Sequence, residues 1–226
     1  MNEDILKDLN LRFDYAALKS NVTEKDIIKI CQEAVDHKFF SIAINPTWVS
    51  AAKELLHNTG VKILSVSGFP LGANTTDIKI KEAVLGVNDG AHEIDMVANI
   101  GWLTANNFKL VENEIIGLRN ALPFNVILKV IIEAGMLNNT QMIDATKAVI
   151  NGGAQFVKTS TGFFGGATLE QVKILYKAAG GQIEVKASGG ITSLEQCRAF
   201  ISAGASRLGS SSSVSIMKEL KNCINK

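Results

Sequence analysis

Two lysines end apolar runs at matching points of this sequence. Lys158 precedes the small residues Thr159-Ser160, and Lys186 is followed within three residues by Gly189-Gly190. An unpaired ammonium is costly to bury, so a lysine is unexpected in a buried strand. Two such lysines in neighbouring units predict a site in which one amine is neutral and the other is charged, as imine formation with a carbonyl requires.

The energetics of a neutral lysine define what the site must supply. A free lysine has a pKa of about 10.4 and is protonated at neutral pH, so it cannot attack a carbonyl. Lowering its pKa to about 7 requires about 4 to 5 kcal/mol. A second ammonium about 6 Å away supplies about 2 to 3 kcal/mol at an effective dielectric constant near 20. Partial burial must supply the rest, and on these grounds either Lys158 or Lys186 could be the nucleophile.

Further charged residues are predicted at the ends of other strands. Asp14 ends the first predicted strand, Asp95 ends the fourth, and Lys129 lies in the fifth, which leads to Glu133. A single charged strand end is most simply a solvated rim residue. Because strand ends of a parallel barrel share one mouth, the joint occurrence of these residues with the two lysines indicates a catalytic site. Asp95 would move protons there with the help of a water.

The elements that position these residues alternate along the whole chain. Short β-rich runs are predicted at residues 11–14, 40–44, 61–66, 92–96, 126–131, 155–158, 183–186 and 206–209. Helical patterns separate them at residues 23–38, 47–57, 76–88, 107–121 and 140–150, and further helices start near 168, 192 and 212. Similar Gly-Ala turns at 89–92, 152–155 and 203–206 close helices, since glycine supplies a left-handed cap.

This alternation predicts parallel βαβ units. Eight such units predict an α/β fold with a single (β/α)8 TIM barrel, one catalytic domain over residues 1–226. An open, doubly wound sheet is the alternative, but no Gly-x-Gly-x-x-Gly turn follows the first strand.

Loops of small residues follow the last three strands. They are Thr161-Gly162, Gly189-Gly190 and Gly209-Ser210-Ser211. Backbone N–H groups and helix N-termini attract anions, and barrels often bind phosphate after strands seven and eight. The loops therefore predict a phosphate site, although the glycines could serve only to make tight turns.

Composition argues against several other classes of protein. The chain has 226 residues and a formal net charge of +1, which gives no basic footprint for nucleic acid or an anionic membrane. No apolar run approaches the roughly 20 residues that span a bilayer. Residues 1–4, which include the acidic Glu3 and Asp4, do not resemble the start of a secretory signal. Cys31, Cys197 and Cys223 form no Cys-x-x-Cys pair and are predicted to be buried, reduced thiols, which favours the cytoplasm.

Metal binding and cofactors are not predicted. His37, His57 and His92 are scattered, and no cluster has the spacing of metal ligands. Trp48 and Trp102 are most simply packing residues.

Five motifs together resemble the deoxyribose-phosphate aldolase family of class I aldolases. They are Ser67–Gly72, Glu93–Val97, Leu128–Glu133, Val157–Phe163 and Val185–Ile191, and the resemblance runs from about residue 14 to 211. The motif Lys158-Thr159-Ser160-Thr161-Gly162 is highly specific. The resemblance implies reversible cleavage of 2-deoxy-D-ribose 5-phosphate to D-glyceraldehyde 3-phosphate and acetaldehyde through a Schiff base, without a metal.

The resemblance also implies roles for the charged residues. It makes Lys158 the nucleophile, Lys186 the neighbour that lowers its pKa and Asp95 the water-assisted proton shuttle. Asp14 and Lys129 become supporting residues. Barrels of this family commonly pair, so a homodimer is possible.

The chain departs from the family pattern at three places. Ala43 stands in the second strand where many members carry a cysteine. Tyr15-Ala16 follows Asp14 where members often have His-Thr or a nearby threonine. Some members end in a mobile tyrosine that assists proton transfer, whereas this chain ends Asn222-Cys223-Ile224-Asn225-Lys226, so water or another group must serve.

Two alternative functions remain open from the sequence. One is another imine-forming aldolase that acts on a longer sugar phosphate, for which acetaldehyde would not be a product. The other is a non-catalytic barrel that binds a phosphorylated metabolite, although phosphate binding alone would not need both Lys158 and Lys186.

Overall fold

The computed structural model describes residues 6–224, which form a closed barrel of eight parallel strands. The strands are β1 (Phe13–Ala17), β2 (Ser41–Ile44), β3 (Lys62–Ser67), β4 (Glu93–Val97), β5 (Ile127–Ile131), β6 (Phe156–Lys158), β7 (Glu184–Ser188) and β8 (Arg207–Ser210). Each strand pairs with the next, and β8 pairs with β1. The predicted (β/α)8 barrel is confirmed, and the open sheet is excluded. Residues 1–4, where the sequence predicts no secretory signal, lie outside the described residues.

Helices surround the barrel. They are α1 (Glu24–Asp36), α2 (Val49–Leu55), α3 (Thr76–Asp89), α4 (Ile100–Thr104), α5 (Phe108–Ala121), α6 (Asn139–Asn151), α7 (Leu169–Ala179), α8 (Leu194–Ser202) and α9 (Ser213–Ile224). A capping box opens α1, because Thr23 and Asp26 bind each other's backbone N–H groups. Among residues 6–224, no helix combines the length and apolar character that would let it cross a membrane.

The element boundaries correct some sequence-based expectations. Residues 9–12 form a 3₁₀ turn, so β1 starts at Phe13 and Asp14 is its second residue. Asp95 and Lys186 likewise lie in the middle of β4 and β7 rather than at their ends. These three side chains therefore sit deeper in the barrel than the sequence indicated. The helix predicted over 47–57 is a 3₁₀ turn followed by α2, and the short helix α4 was not predicted.

Two apolar layers flank the strands. The larger one packs the helices onto the outside of the sheet, with Trp48 and Trp102 against it as predicted. A smaller cluster of Ala43, Leu64 and Val66, with Ala16, Leu18 and Phe69 against it, forms a separate apolar wall. Leu64 and Val66 are paired with Glu93 and Asp95 in the register of β3 and β4. Because paired residues of neighbouring strands share a face of the sheet, this apolar wall and those carboxylates face the barrel interior.

The helix-closing turns agree with the predictions from the sequence, and the cysteines agree in part. Gly90, Gly153 and Gly204, which close helices in the three Gly-Ala turns, all have positive φ, as predicted. Cys31 and Cys197 are buried free thiols, but Cys223 is exposed, so the prediction of burial was wrong for that residue.

Candidate active site

A network of buried charges fills part of the barrel interior. Its members are Asp14, Glu93, Asp95, Lys129, Lys158, Lys186 and Arg207, each at most 7% exposed. The register explains how they meet, because Lys158 pairs with Lys186 across β6 and β7, and Asp95 pairs with Lys129 across β4 and β5. All five charged residues predicted from the sequence belong to this network.

Asp95 links the two lysines. Its Oδ2 atom accepts a hydrogen bond from Nζ of Lys158 at 2.7 Å and another from Nζ of Lys186 at 2.7 Å. Both nitrogens therefore lie on the same side of the sheet and contact the same oxygen atom. This is the arrangement expected of a pair in which the protonation of one amine depends on the charge of the other.

The environment drives the pKa values of the two lysines apart. Burial lowers the pKa of Lys158 to about 8, and the Lys186 ammonium contributes in the same direction, while Asp95 opposes both. Burial also disfavours the Lys186 ammonium, but contacts with Asp14 and Asp95 outweigh it and raise the pKa of Lys186. Lys158 is thus the lysine that is more readily neutral, and burial contributes more to this than the neighbouring charge does.

Asp14 and Lys129 contact the groups around the lysine pair: Asp14 contacts Lys186, and Lys129 contacts Asp95. Lys186 forms an ion pair with Asp14 Oδ2, and Ser41 Oγ donates to Asp14 Oδ1 at 2.7 Å. Lys129 Nζ lies 3.5 Å from Asp95 Oδ1. Burial alone would raise the pKa of Asp95, but Lys158, Lys186 and Lys129 together hold that pKa well below its ordinary value. Asp95 is therefore a carboxylate that stays ionised at neutral pH.

Two residues of the site, Glu93 and Arg207, were missed as functional candidates, whereas Glu133 was expected after the fifth strand. Glu93 and Arg207 extend the charge network, and Glu133 accepts hydrogen bonds from the backbone N–H and the hydroxyl of Thr161, at 3.1 and 2.5 Å. Glu93 precedes Asp95 by two residues in the same strand, and side chains two apart share a face. That spacing was a signal in the sequence that could have identified Glu93.

A cavity of about 670 Å³ opens above the network at the carboxyl ends of the strands. Asp14, Lys158 and Lys186 lie among its lining residues, whereas Asp95 and Lys129 do not line it. Every residue of the predicted phosphate site also lines this cavity, namely Thr161, Gly162, Gly189, Gly190, Gly209, Ser210 and Ser211. The structure therefore brings the three loops to the same space as the lysines.

The loop residues differ in what they can offer an anion. Thr161 is engaged with Glu133, and Ser210 Oγ donates to the carbonyl of Ile191 at 2.6 Å. In the part of the chain that the structure describes, the backbone N–H groups of Gly189, Gly190 and Ser211 have no acceptor in the protein. Gly189 and Gly190 both have positive φ, which glycine adopts without strain. These N–H groups are the strongest candidates for phosphate donors.

Two of the departures from the family pattern change one wall of the cavity. Ala16 and Ala43 both line it and belong to the interior apolar cluster. Tyr15 packs against the outer core instead, and its hydroxyl donates to Glu33 on α1 at 2.8 Å. Tyr15 is therefore outside the site, whereas Ala16 and Ala43 make the wall apolar at the two positions where the chain departs from the family pattern.

Histidines take no part in this site. His92 lies at the opposite end of the barrel, where its Nδ1 accepts a hydrogen bond from the backbone of Ile63 at 3.1 Å. Within residues 6–224, no three His, Cys, Asp or Glu side chains are grouped so that they could hold a metal ion. The groups that the site presents are an amine of lowered pKa, an ionised carboxylate and backbone donors, which suit imine formation and proton transfer.

Comparison with known proteins identifies the family. Residues 9–211 match the model of the DeoC/LacD family of aldolases. The deoxyribose-phosphate aldolase of Clostridium kluyveri is 46% identical over 214 residues, which cover 94% of this chain and 98% of that protein. The solved structure of QR15, an aldolase, has a TM-score of 0.91 and 39% identity, covering 95% of this chain and 96% of the other. The deoxyribose phosphate aldolase of Aeropyrum pernix, described as a tetramer, has a TM-score of 0.89 and 30% identity over 99% of both chains. The chain belongs to the DeoC/LacD family of aldolases.

Proposed function

We propose that the protein is a lyase that reversibly cleaves 2-deoxy-D-ribose 5-phosphate to D-glyceraldehyde 3-phosphate and acetaldehyde, in deoxyribonucleotide catabolism. The observation that carries the chemistry is the buried Lys158 amine of lowered pKa, beside Asp95 and in a cavity lined by free backbone donors. The identity of the substrate is inferred from the name of a relative that matches 94% of this chain, a deoxyribose-phosphate aldolase.

The proposed cycle begins when the neutral Nζ of Lys158 attacks the aldehyde carbon of the open-chain sugar. The resulting carbinolamine loses water to form a protonated imine. The C3 hydroxyl then gives up its proton and becomes the aldehyde of glyceraldehyde 3-phosphate, while the electron pair of the broken C2–C3 bond passes into the imine as an enamine. Protonation of C2 and hydrolysis release acetaldehyde and restore the amine.

Asp95 and Lys186 have separate roles in this proposal. Asp95, acting through a water, carries the proton between the C3 hydroxyl and C2. Lys186 keeps its own proton and so disfavours a second positive charge on Lys158 before the attack. Asp14 and Lys129 fix the positions of these groups through their ion pairs.

The phosphate would bind at the rim of the cavity. Gly189, Gly190 and Ser211 offer free N–H groups, and α9 begins two residues after Ser211, so its N-terminal dipole favours an anion there. Gly162 leaves space for the phosphate in the loop after β6, and Gly209, in β8, lines the same cavity next to the loop that contains Ser211. Thr161 and Ser210 shape those loops through their bonds to Glu133 and Ile191.

Trapping the imine tests the nucleophile. We expect acetaldehyde with borohydride to alkylate Lys158 irreversibly, which peptide mapping by mass spectrometry would detect. Lys158→Ala should abolish turnover while leaving the fold intact. The matched control is Lys177→Ala, on an exposed part of α7, which should retain activity. An unlabelled Lys158, or a fully active Lys158→Ala variant, would remove the assignment.

Product analysis separates the alternatives. Formation of acetaldehyde from 2-deoxyribose 5-phosphate distinguishes the proposed reaction from cleavage of a longer sugar phosphate. A barrel that only binds a phosphorylated metabolite would form no imine at all. We also expect EDTA to leave the activity unchanged, and a loss of activity would indicate a metal-dependent aldolase instead.

We also propose that residues 1–226 form one catalytic domain, that the chain forms a homodimer and that it works in the cytoplasm. The three free cysteines of the described residues are consistent with a reducing compartment. Sedimentation velocity at micromolar concentration tests the dimer, and a purely monomeric species would contradict it.

A further inference from the structure

Arg207 and Glu93 lie at the end of the charge network that is farther from the cavity. Nη1 and Nη2 of Arg207 donate to Glu93 at 3.4 and 3.2 Å. Nη2 also forms an ion pair with Asp14 Oδ1, and the guanidinium lies 3.8 Å from the centre of the Phe40 ring. Neither Arg207 nor Glu93 lines the cavity that Lys158 reaches, so neither is placed to touch a substrate there.

Two routes of direct ion-pair contact connect Arg207 to the lysine pair. One passes from Arg207 through Glu93 to Lys129, whose ammonium lies 3.5 Å from Asp95. The other passes from Arg207 through Asp14 to Lys186. Both routes end at Asp95, which contacts Lys158 directly. Because these groups are buried, their charges are screened less than charges at the surface.

The network holds an unequal number of charges. In the part of the chain that the structure describes, four basic groups (Lys129, Lys158, Lys186 and Arg207) contact three carboxylates (Asp14, Glu93 and Asp95). The charges balance only when one base is neutral. The site places the lowered pKa at Lys158, while Lys186 has a raised pKa. Arg207 supplies a positive charge that is never lost in this pH range.

We propose that Arg207 and Glu93 are positioning residues that fix the protonation state of Lys158 through this network, with Arg207 supplying a positive charge that is never lost, so that Lys158 is the base left in excess over the three carboxylates. The inference rests on the proposed function of Lys158 as the nucleophile. It adds two residues to the machinery of the site, on strands β8 and β4, that act without contacting the substrate.

Other charged groups around the network must be considered before its charge is altered. Strands β2 and β3 contribute no charged side chain to it, only Ser41 and the apolar wall. At the open end, Glu133 binds Thr161, and Lys19, Asp26 and Lys29 lie on the cavity rim. At the opposite end, a second cavity is lined by Glu93 together with Lys53, His57, Lys62 and His92. These outer groups stay unchanged in every variant proposed below, so they do not affect the differences.

Single substitutions at the two positions should move the pH profile in opposite directions. Arg207→Gln removes a positive charge but keeps an N–H donor for Asp14, so it favours the Lys158 ammonium and moves the acidic limb of kcat/KM to higher pH. Glu93→Gln removes a negative charge and moves that limb to lower pH. Each shift should be about one pH unit, the size produced by a unit charge roughly 10 Å away at an effective dielectric constant near 20.

Three further variants distinguish the effect of a changed charge on the pH profile from the effect of a changed structure. The double variant Arg207→Gln/Glu93→Gln removes one positive and one negative charge, so the network keeps its wild-type net charge. The limb should therefore return close to its wild-type position. Arg207→Lys keeps the charge and should do the same. The matched control is Glu114→Gln, which alters a buried carboxylate bound to Lys79 outside the network. It should lower stability but leave the limb where it is in the wild type.

A second readout does not depend on aldolase activity. Cyanate carbamylates only neutral amines, so the pH dependence of carbamylation at Lys158, measured by mass spectrometry, reports its protonation directly. The exposed Lys177 serves as an internal reference in each sample. We expect the midpoint for Lys158 to shift in the same directions as the limb of kcat/KM, while labelling of Lys177 is unchanged.

The outcomes distinguish this inference from the proposed function. Opposite shifts that cancel in the double variant support it. Shifts of the same sign, or none in an active enzyme, overturn it and leave the proposed function intact. If the variants show the carbamylation shifts but the wild-type protein does not cleave deoxyribose 5-phosphate, the proposed function is contradicted and this inference is not. If Arg207→Gln does not fold, as circular dichroism would show, Glu93→Gln and the charge-balanced double variant decide the result.

Discussion

The carboxylate of Asp95 has one effect that works against the proposed mechanism and one that fits it. Its negative charge favours the ammonium form of Lys158 and so works against nucleophilic attack. The same carboxylate is the only acidic group in the described residues whose oxygen contacts both lysines of the pair. A site designed only to lower the pKa of Lys158 would omit this carboxylate. Its presence is explained if a proton acceptor is needed after the imine has formed.

Asp95→Asn should therefore separate imine formation from turnover. Removing the charge lowers the pKa of Lys158, so trapping of acetaldehyde by borohydride should proceed at lower pH than in the wild type. Turnover should fall by about 10²- to 10⁴-fold, the usual contribution of a positioned acid–base group. Trapping yield and kcat measured across pH on the same preparation test this. Parallel loss of both in a folded variant would contradict the shuttle role.

The strands determine how closely the proposed catalytic lysines can pack. Gly209 in β8 lies beside β7, and a Cβ atom at this position would be 2.8 Å from Cβ of Ser188 and 3.3 Å from Cε of Lys186. The absence of a side chain at Gly209 thus provides the space that the Lys186 side chain occupies. Gly209 had been singled out only as a phosphate-binding candidate, and its contact with Lys186 could not be derived from the sequence.

Gly209→Ala should impair catalysis more than its size indicates. The added methyl group has to displace Ser188 or Lys186, so we expect a loss of activity of about tenfold or more together with a destabilisation of about 1 to 3 kcal/mol, typical of an overpacked core. The control is Gly135→Ala, where the nearest atom to an added Cβ is 4.0 Å away and φ is not positive. Steady-state kinetics and urea unfolding on both variants test this, and equal behaviour would show that the strands adjust freely.

Secondary structure was predictable to the extent that local patterns determine it. The alternation of strands and helices predicted all eight strands, and the Gly-Ala turns marked three helix ends. The depth of Asp14 was not predictable, because it depends on residues 9–12 forming a 3₁₀ turn instead of the start of β1. Such a boundary is set by packing against the rest of the barrel and not by the propensity of four residues.

Most of the contacts that could not be predicted are ion pairs between residues that are distant along the chain. Lys79 on α3 and Glu114 on α5 are fully buried and 2.7 Å apart, although each resembles an ordinary charge on an amphipathic helix. Lys79 Nζ also donates to the carbonyl of Val97, and Glu114 accepts from the backbone of Asn99, so the pair holds the carboxyl end of β4. Arg207 was missed for the same reason, because only barrel closure brings β8 to Asp14 on β1. Charge partners this distant in sequence have no local signature.

The free energy of unfolding of the whole barrel should depend on pH because of Lys158, the proposed nucleophile. The pKa of Lys158 falls from 10.5 to about 8 on folding, which corresponds to about 3 kcal/mol of destabilisation at pH 7. Above pH 8 the folded state loses this proton while the unfolded state keeps it up to about pH 10.4. The unfolded state then binds more protons, so this contribution makes the barrel more stable as the pH rises.

Lys158→Met should therefore stabilise the protein where it removes the function. Methionine fills a similar volume without a charge, and Asp95 keeps its contacts with Lys186 and Lys129. At pH 7 we expect the free energy of unfolding in urea to rise by about 1 to 3 kcal/mol, and this advantage to shrink by about pH 9.5, where folded wild-type Lys158 is already neutral. Lys173→Met, on an exposed part of α7, should change stability by less than about 0.5 kcal/mol at both pH values. A variant that is less stable than the wild type at pH 7, or a gain in stability that does not depend on pH, would mean that the buried Lys158 ammonium does not destabilise the folded protein.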